Sequence, residues 1–445
     1  MDLLFALAFS FLLLIFSVFR GYFIAYPLCM AMGILVAVLM QRGFALSKLI
    51  QMAITGSRAA IPVLSILPLI GAVTAVWIAA GTVPAIVYYG IKLINPDYFI
   101  FWAFVLTSLV SLLLGTSFGT VSTIGIALMI VAKGSHLDPH PIAGAIIAGA
   151  YVGDSALRFI PSGYRASWMS SSANLIAKIT QTDLYANIKN MLVTGFIPLV
   201  ISSLLYLALS LLYPVQVTET TLLTQISQLF NLNLIVLLPA LTILVLALLR
   251  VEVKVSMLIS IGVGMVIAYF LQHYTISQIL YYTIAGFSLS DNSPLRGILV
   301  GGGMISMLKL CAIVVVSTAI AGILAGTNAL QIVDKYLNKI QHRSDLFLAT
   351  TVIGIATGAF GCTQTIAIVL TQQLVKNQYT QRGLTNSELA INLENTVVVL
   401  SPLIPWNIAG LVPATILMTD AGFIPYAWYL YILTGWSWLQ LRKKA

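Results

Sequence analysis

From Met191 to Tyr213 the chain runs without a single charged residue. A helix needs about 20 apolar residues to cross the hydrocarbon core of a bilayer. A membrane β-strand would instead alternate apolar and polar positions; this run does not alternate. Comparable stretches lie near 3–19, 22–40, 62–80, 98–114, 191–213, 232–249, 255–271, 303–325, 346–360 and 423–439. Together with shorter apolar pieces they leave room for roughly ten to thirteen spans.

Composition agrees. Of 445 residues, 60% are hydrophobic and 8% charged, against about 25% charged in soluble domains. So little charge cannot cover the outside of a soluble domain. Soluble enzymes, disordered chains, collagens and disulfide scaffolds are excluded. The expected fold class is all-α: a polytopic integral membrane protein. The start of the chain, Asp2 and then an apolar run, lacks the basic opening and cleavage site of a signal peptide and reads as the first span.

Lys and Arg number 22 against 13 Asp and Glu, a formal charge of +9. In a membrane protein such an excess marks cytoplasmic loops and anionic lipid rather than nucleic acid. The tail LRKKA and the basic stretches 42–58, 335–343 and 376–382 are therefore expected on the cytoplasmic side. Cys29, Cys311 and Cys362 show no metal or disulfide spacing.

Five other apolar stretches, 82–91, 115–132, 141–163, 361–375 and 396–419, are short or broken by Gly and Pro. Irregular backbone at membrane depth is tolerated only beside protein or a water-filled cavity. Broken segments at matching places in two halves point to a transporter's binding site. A repeat is visible: GTVSTIGIAL (119–128) aligns with GCTQTIAIVL (361–370), and AGT (80–82) with AGT (325–327), three residues out of register. The expected division is an N-terminal half 1–213, a polar linker 214–230 and a C-terminal half 231–445, with discontinuous helices meeting near the midplane.

Most acidic residues fall at span ends. Asp154, Glu394 and Asp291 stand out in otherwise apolar or broken stretches. A carboxylate inside the membrane is costly and rare without a role. It can hold a bare cation or a proton, so the two ions can compete for it. Asp154 is the leading candidate, as a transient Na+ ligand; the alternative is a structural pair with Arg158, four residues on. Glu394 is the second candidate, unless it only caps a broken helix. Asp291 resembles part of an interfacial turn.

In GTSFGTVST the hydroxyls of Thr116, Ser117, Thr120 and Ser122 can stand beside unwound carbonyls, the hard oxygens that sodium prefers. Thr363, Gln364 and Thr365 repeat this in GAFGCTQT. Small-residue helix packing is the competing explanation. In SPLIPWN, Pro402 and Pro405 break the helix, Ser401 and Asn407 flank the break, and Trp406 is large enough to gate it. GGG (301–303) permits close packing and lacks the lysine of a nucleotide-binding loop. His136 and His140 flank a DP turn that reads as a plain polar loop, with a pH sensor as the alternative.

These motifs resemble the NhaC family of sodium/proton antiporters, within the ion transporter superfamily. The resemblance runs from about residue 60 to 430. It rests on AVWIAAGTVPAIVYYG (75–90), LGTSFGTVSTIGIALM (114–129), AGAIIAGAYVGD (143–154), GGGMISMLK (301–309) and SPLIPWN. It implies a secondary transporter with two related halves that moves sodium and protons in opposite directions. Family members typically continue after GD with a stretch holding a second aspartate. Here Asp154 is followed by SALRFIPSGYRAS, with Arg158 and Arg165. Arginine grips carboxylates with two bonds, so an organic anion or amino acid, held by Arg158, is the alternative cargo. The other reading of Arg158 is an interfacial anchor.

The expected function is sodium/proton antiport by alternating access, with no cofactor and with Na+ and H+ as the transported ions. The expected partners are those ions, the lipid bilayer and a second copy of the chain, not nucleic acid. No serine–histidine pair or HExxH motif suggests an enzyme. The expected location is the inner membrane.

Overall fold

The computed structural model describes residues 3–20, 22–58, 60–93, 96–114, 116–134, 137–154, 171–212, 219–249, 251–289, 301–327, 337, 340 and 342–443. These residues are almost wholly helical. The helices are α1 (Leu3–Phe19), α2 (Ala25–Gln41), α3 (Leu46–Arg58), α4 (Ile61–Ala79), α5 (Thr82–Leu93), α6 (Phe99–Leu114), α7 (117–134), α8 (Pro139–Asp154), α9 (Ser171–Thr180) and α10 (Leu184–Leu212). They continue with α11 (Glu219–Leu229), α12 (Leu238–Leu248), α13 (Val253–Phe270), α14 (Ile276–Ala285), α15 (Leu308–Gly326), α16 (Arg343–Gly361), α17 (Gln364–Gln381), α18 (Asn386–Leu393), α19 (Ile408–Ile416) and α20 (Trp428–Lys443). The only β-bridge among the described residues joins Phe287 to Gly301.

Helices this apolar all round are stable only in lipid or inside a bundle. Large side chains stand exposed along α10, among them Val193, Phe196, Leu204 and Leu212, and along α1, among them Phe5, Leu12 and Phe16. These are lipid-facing sides. The molecule is a polytopic all-α membrane protein. Among the described residues, three continuous helical stretches are long and apolar enough to cross by themselves: Ala186–Leu212, Ile305–Gly326 and Arg343–Gly361. Two more candidates are bent pairs, Leu64–Ala79 with Thr82–Tyr89 at 69° and Asn386–Leu403 with Ile408–Ile416 at 51°. Six further apolar helices are shorter. Each of the ten stretches marked from sequence contains a helix, but breaks shorten several of them.

Breaks at this depth need partners for freed backbone groups. At the α4–α5 bend, Gly81 has φ +78°, and a Cβ there would lie 2.3 Å from Gln272 Nε2. That amide donates to the Ala80 carbonyl at 3.2 Å and to the Asn231 carbonyl at 2.9 Å. Thr82 Oγ1 donates to the Val236 carbonyl at 2.6 Å.

Helix boundaries recur along the chain. Ile61 and Leu308, Ala79 and Gly326, Leu114 and Gly361, Gly134 and Gln381, and Pro139 and Asn386 are each 247 residues apart. The packing recurs as well. A Cβ on Gly56 would fall 2.4 Å from the Thr318 oxygen and 2.6 Å from Gly322 Cα, so α3 crosses α15 backbone to backbone. A Cβ on Gly71 would fall 2.2 Å from the Gly303 oxygen, and one on Gly302 would fall 2.6 Å from the Ala75 nitrogen. Gly56 and Gly303, Gly71 and Thr318, and Ala75 and Gly322 share the same offset. One close crossing is therefore built twice. The offset differs from the 242 of the motif alignment, because helix ends fix the register and a few shared small residues do not.

Two stretches expected as basic loops are helical. Residues 46–58 form α3, whose Leu49, Met52 and Gly56 face α15 while Lys48 and Arg58 stay exposed. Residues 376–381 are the last turns of α17. In both, the charges mark the polar face or end of a helix. The stretch read as a linker contains α11.

Candidate functional site

The second-half break is built on the C-terminus of α16. Helix ends leave carbonyls without intrahelical partners, and here one corner of the chain takes them. Trp406 Nε1 donates to the Ala359 carbonyl at 2.7 Å, and Asn407 Nδ2 to that of Gly358 at 2.8 Å. The Ile408 amide donates to the Cys362 carbonyl at 2.9 Å. Asn407 also caps α19, its Oδ1 accepting from the Ala409 amide at 3.0 Å. Asn407 is fully buried. Cys362 turns the chain with φ +52°, and extended Thr363 caps α17 by accepting from the Ile366 amide at 3.2 Å.

Before this corner, residues Glu394–Val398 form a π-helical stretch. Such stretches are rare and collect at functional sites. Gln364 Nε2 reaches across to the Val398 carbonyl at 2.9 Å. Glu394, only 1% exposed, opens the stretch. Its neighbour Asn395 donates to Ser437 at 3.0 Å and to Thr194 at 3.3 Å, while Thr434 donates to the Asn395 carbonyl at 2.8 Å. The Asn395 side chain thus sits among α10, α20 and the break.

The first-half candidates lie on α7. Thr116 is extended and caps the helix, accepting from the Gly119 amide at 3.0 Å. A π-helical stretch follows at Val121–Gly125. Thr120 donates to the Thr116 carbonyl at 2.8 Å and Ser122 to that of Phe118 at 2.7 Å. Each hydroxyl proton is used within the helix, and each oxygen keeps acceptor capacity. Ser117, Thr120 and Ser122 are buried. Thr116 and Thr363 are again 247 residues apart.

The two clusters meet through α19, which packs on both the α7 π-helical stretch and α8. Tyr151 of α8 donates to the Ala409 carbonyl at 2.9 Å, tying the first-half helix to the first turn of α19. Three residues further on, α8 ends at Asp154. The Asp154 side chain, and Arg158, Arg165, Asp291 and His136, lie outside the described residues. Thr363 and Gln364 are half-buried beside the corner; Thr365 is exposed. His140 is no plain loop residue: its ring nitrogens each lie 3.0 Å from a carboxylate oxygen, of Asp138 and of Asp420.

Sequence reasoning passed over Tyr151, Asn395 and a buried relay in which Tyr379 meets Thr350 at 3.1 Å and Asn392 at 2.8 Å. A signal was present. Asn392 and Asn395 flank Glu394 in AINLENT, and two amides beside an intramembrane carboxylate mark a polar core.

The Na+/H+ antiporter family matches residues 159–437. The chain belongs to that family. The match takes in the whole second cluster, from Thr363 to Asn407. Among curated relatives, an uncharacterized Na+/H+ antiporter of Haemophilus influenzae is 29% identical, over 82% of this chain and 79% of its own. The Na+/H+ antiporter NhaC of Alkalihalophilus pseudofirmus is 29% identical, over 85% of this chain and 81% of its own. A malate-2H+/Na+-lactate antiporter of Bacillus subtilis is 26% identical, over 93% and 86%. This antiporter therefore aligns with its relatives across most of their lengths.

Proposed function

We propose that this antiporter exchanges sodium for protons across the membrane, by alternating access around the corner at 401–407. The observation that carries the reading is that corner: the end of α16, the π-helical stretch and the start of α19 converge there, and the π-helical stretch begins at buried Glu394. A carboxylate with cut helix ends near it offers both a proton site and hard oxygens for sodium. Asp154, at the end of the α8 helix that Tyr151 ties to α19, is the exchanging carboxylate. Thr116, Ser117, Thr120 and Ser122 supply oxygens from the first half, and Thr363 and Gln364 from the second. Glu394 and Asn407 support the site.

The 247-residue offset supports a duplicated chain, with one repeat spanning about 3–212 and the other about 253–443. That moves the division from the expected residue 231 to near 250. The basic end of α20, Arg442 and Lys443, supports a cytoplasmic C-terminus in the inner membrane.

The test is purified protein in liposomes with a trapped pH dye. Under an outward proton gradient, external sodium should alkalinise the lumen saturably. Asp154→Asn should abolish the response while the protein remains folded; a retained response would remove Asp154 from this role.

A second reading has one specific support, the relative named for malate and lactate. Here the cargo is a small carboxylate or amino acid held by Arg158. Arg158→Gln would then destroy cargo uptake; in sodium/proton exchange it would leave the dye response largely intact.

A further inference from the structure

The turn at 418–422 is held to the first-half helices at two points. Lys133 of α7 donates to the Met418 carbonyl at 2.9 Å. His140, in the first turn of α8, reaches Asp420 Oδ1 with Nε2 at 3.0 Å, and its Nδ1 lies 3.0 Å from Asp138 Oδ1. Gly422 makes this possible: a Cβ there would stand 2.4 Å from the imidazole ring. One turn along, a Cβ on Gly144 would stand 2.5 Å from Tyr426 Cβ, so the contact closes like a zip.

A neutral imidazole carries one N–H, and an imidazolium carries two. Here both ring nitrogens face carboxylates, which only accept. The charged ring satisfies both. The neutral ring bonds one and sets a lone pair against the other. Histidine is also the side chain whose ordinary charge change falls between pH 5 and 8. Among the described residues, the other titratable groups around it are Asp138 from its own segment, Asp420 and Tyr426 from the opposing one, and Lys133 from α7. None of them ordinarily changes charge in that range.

The same turn lines a cavity of about 700 Å³. Thr419, Asp420 and Gly422 of the turn line it together with Thr415 and Leu411, and with Pro405 of the break.

We propose that His140 is a pH-operated latch on this cavity. Protonated, it fastens α8 to the 418–422 turn and offsets one of the two negative charges, Asp138 and Asp420, that flank it. Deprotonated, it lets the turn loosen and leaves Asp138 and Asp420 to draw in a cation. The sign follows: only the charged ring donates to both carboxylates, so the contact strengthens with acid and weakens as pH rises. His140 and Asp420 are partly to well exposed, so the latch biases the turn and does not lock it. Its consequence for transport rests on sodium/proton exchange; the latch itself does not.

Hydrogen exchange on the full chain in lipid nanodiscs tests it. After correction for intrinsic rates, amides of 418–426 should be protected several-fold more at pH 5.5 than at pH 8. His140→Gln should remove that difference and leave α16 unchanged. Asp420→Asn, which keeps the turn's size, is the second variant and should also flatten the difference. A pH difference that survives in both variants, or is missing in the wild type, overturns the latch. In liposomes the His140→Gln dye response should lose the part of its acid suppression that belongs to the latch. Wild-type liposomes that ignore sodium, with the exchange difference present, would sink the antiport reading and uphold the latch.

Discussion

Replacing Asn407 with alanine removes two hydrogen bonds at once. The Ala409 amide would lose its partner, while the Gly358 carbonyl would keep the Cys362 amide at 3.0 Å. One buried orphan costs roughly 1–3 kcal/mol, so Asn407→Ala should destabilise the protein by about 1–3 kcal/mol. The unfolding temperature in detergent should fall, and transport with it; an unchanged melt would mean the corner rearranges to satisfy the amide. Glu394→Gln tests charge without changing shape. If Glu394 takes part in ion exchange, the variant should melt like the wild type yet lose sodium-dependent proton movement. Normal exchange would leave Glu394 a structural group of the π-helical stretch. Asn407, Gln364 and Glu394 were legible because polar residues beside prolines or deep in apolar runs have few innocent explanations. Tyr151 was not, since a tyrosine in an apolar run reads as core filler until its hydroxyl is seen on the Ala409 carbonyl. Thr365 looked like its neighbours in sequence, but helical geometry turns successive residues by about 100°, and it faces outward.

At the scale of helices, the crossing of α3 and α15 is the sharpest test. Overpacking a tight contact costs typically 1–3 kcal/mol. Gly56→Ala and Gly322→Ala each place a methyl against backbone that cannot swing aside, so each should lower thermal stability. Gly262, inside α13, has nothing within 4 Å of its Cβ position. Gly262→Ala should be neutral or stabilise by about 0.5–1 kcal/mol through helix propensity. Equal melting shifts for all three would mean that α3 does not pack this closely. The long spans were legible because an unbroken apolar run has few alternatives. The helix α3 was not. Its charges lie on one face of a helix whose other face meets α15, and a hydropathy window averages those faces together. The π-helical stretches were also hidden, since an extra residue in a helical turn leaves no mark on composition.

Across the whole molecule, one cavity is lined both by Pro405 of the break and by Asp420, which is well exposed. A chain built from two repeats of one fold can present such a cavity on one side and then, with the repeats' roles exchanged, on the other. The expectation of duplication rests on motif order. The motifs cannot set a register, because the matching residues are small ones that recur throughout this composition. The helix ends carry the register, since a cap must sit where a helix starts, as Thr116 and Thr363 do. If the repeats trade places during transport, a thiol in the cavity must change its exposure with the ions bound. Thr415 is suited to this: it lines the cavity, and its hydroxyl donates only to the Leu411 carbonyl one turn back, at 2.9 Å. Thr415→Cys would be made in a background with Cys29 and Cys311, the two less buried cysteines, replaced. A membrane-impermeant maleimide should label it at one rate without sodium and at a several-fold different rate with saturating sodium at pH 8. Asp154→Asn, deprived of its exchanging carboxylate, should show a single rate under both conditions. A wild-type rate blind to sodium would mean that the cavity does not change with ion binding, and the alternating-access reading would fall while the fold stood.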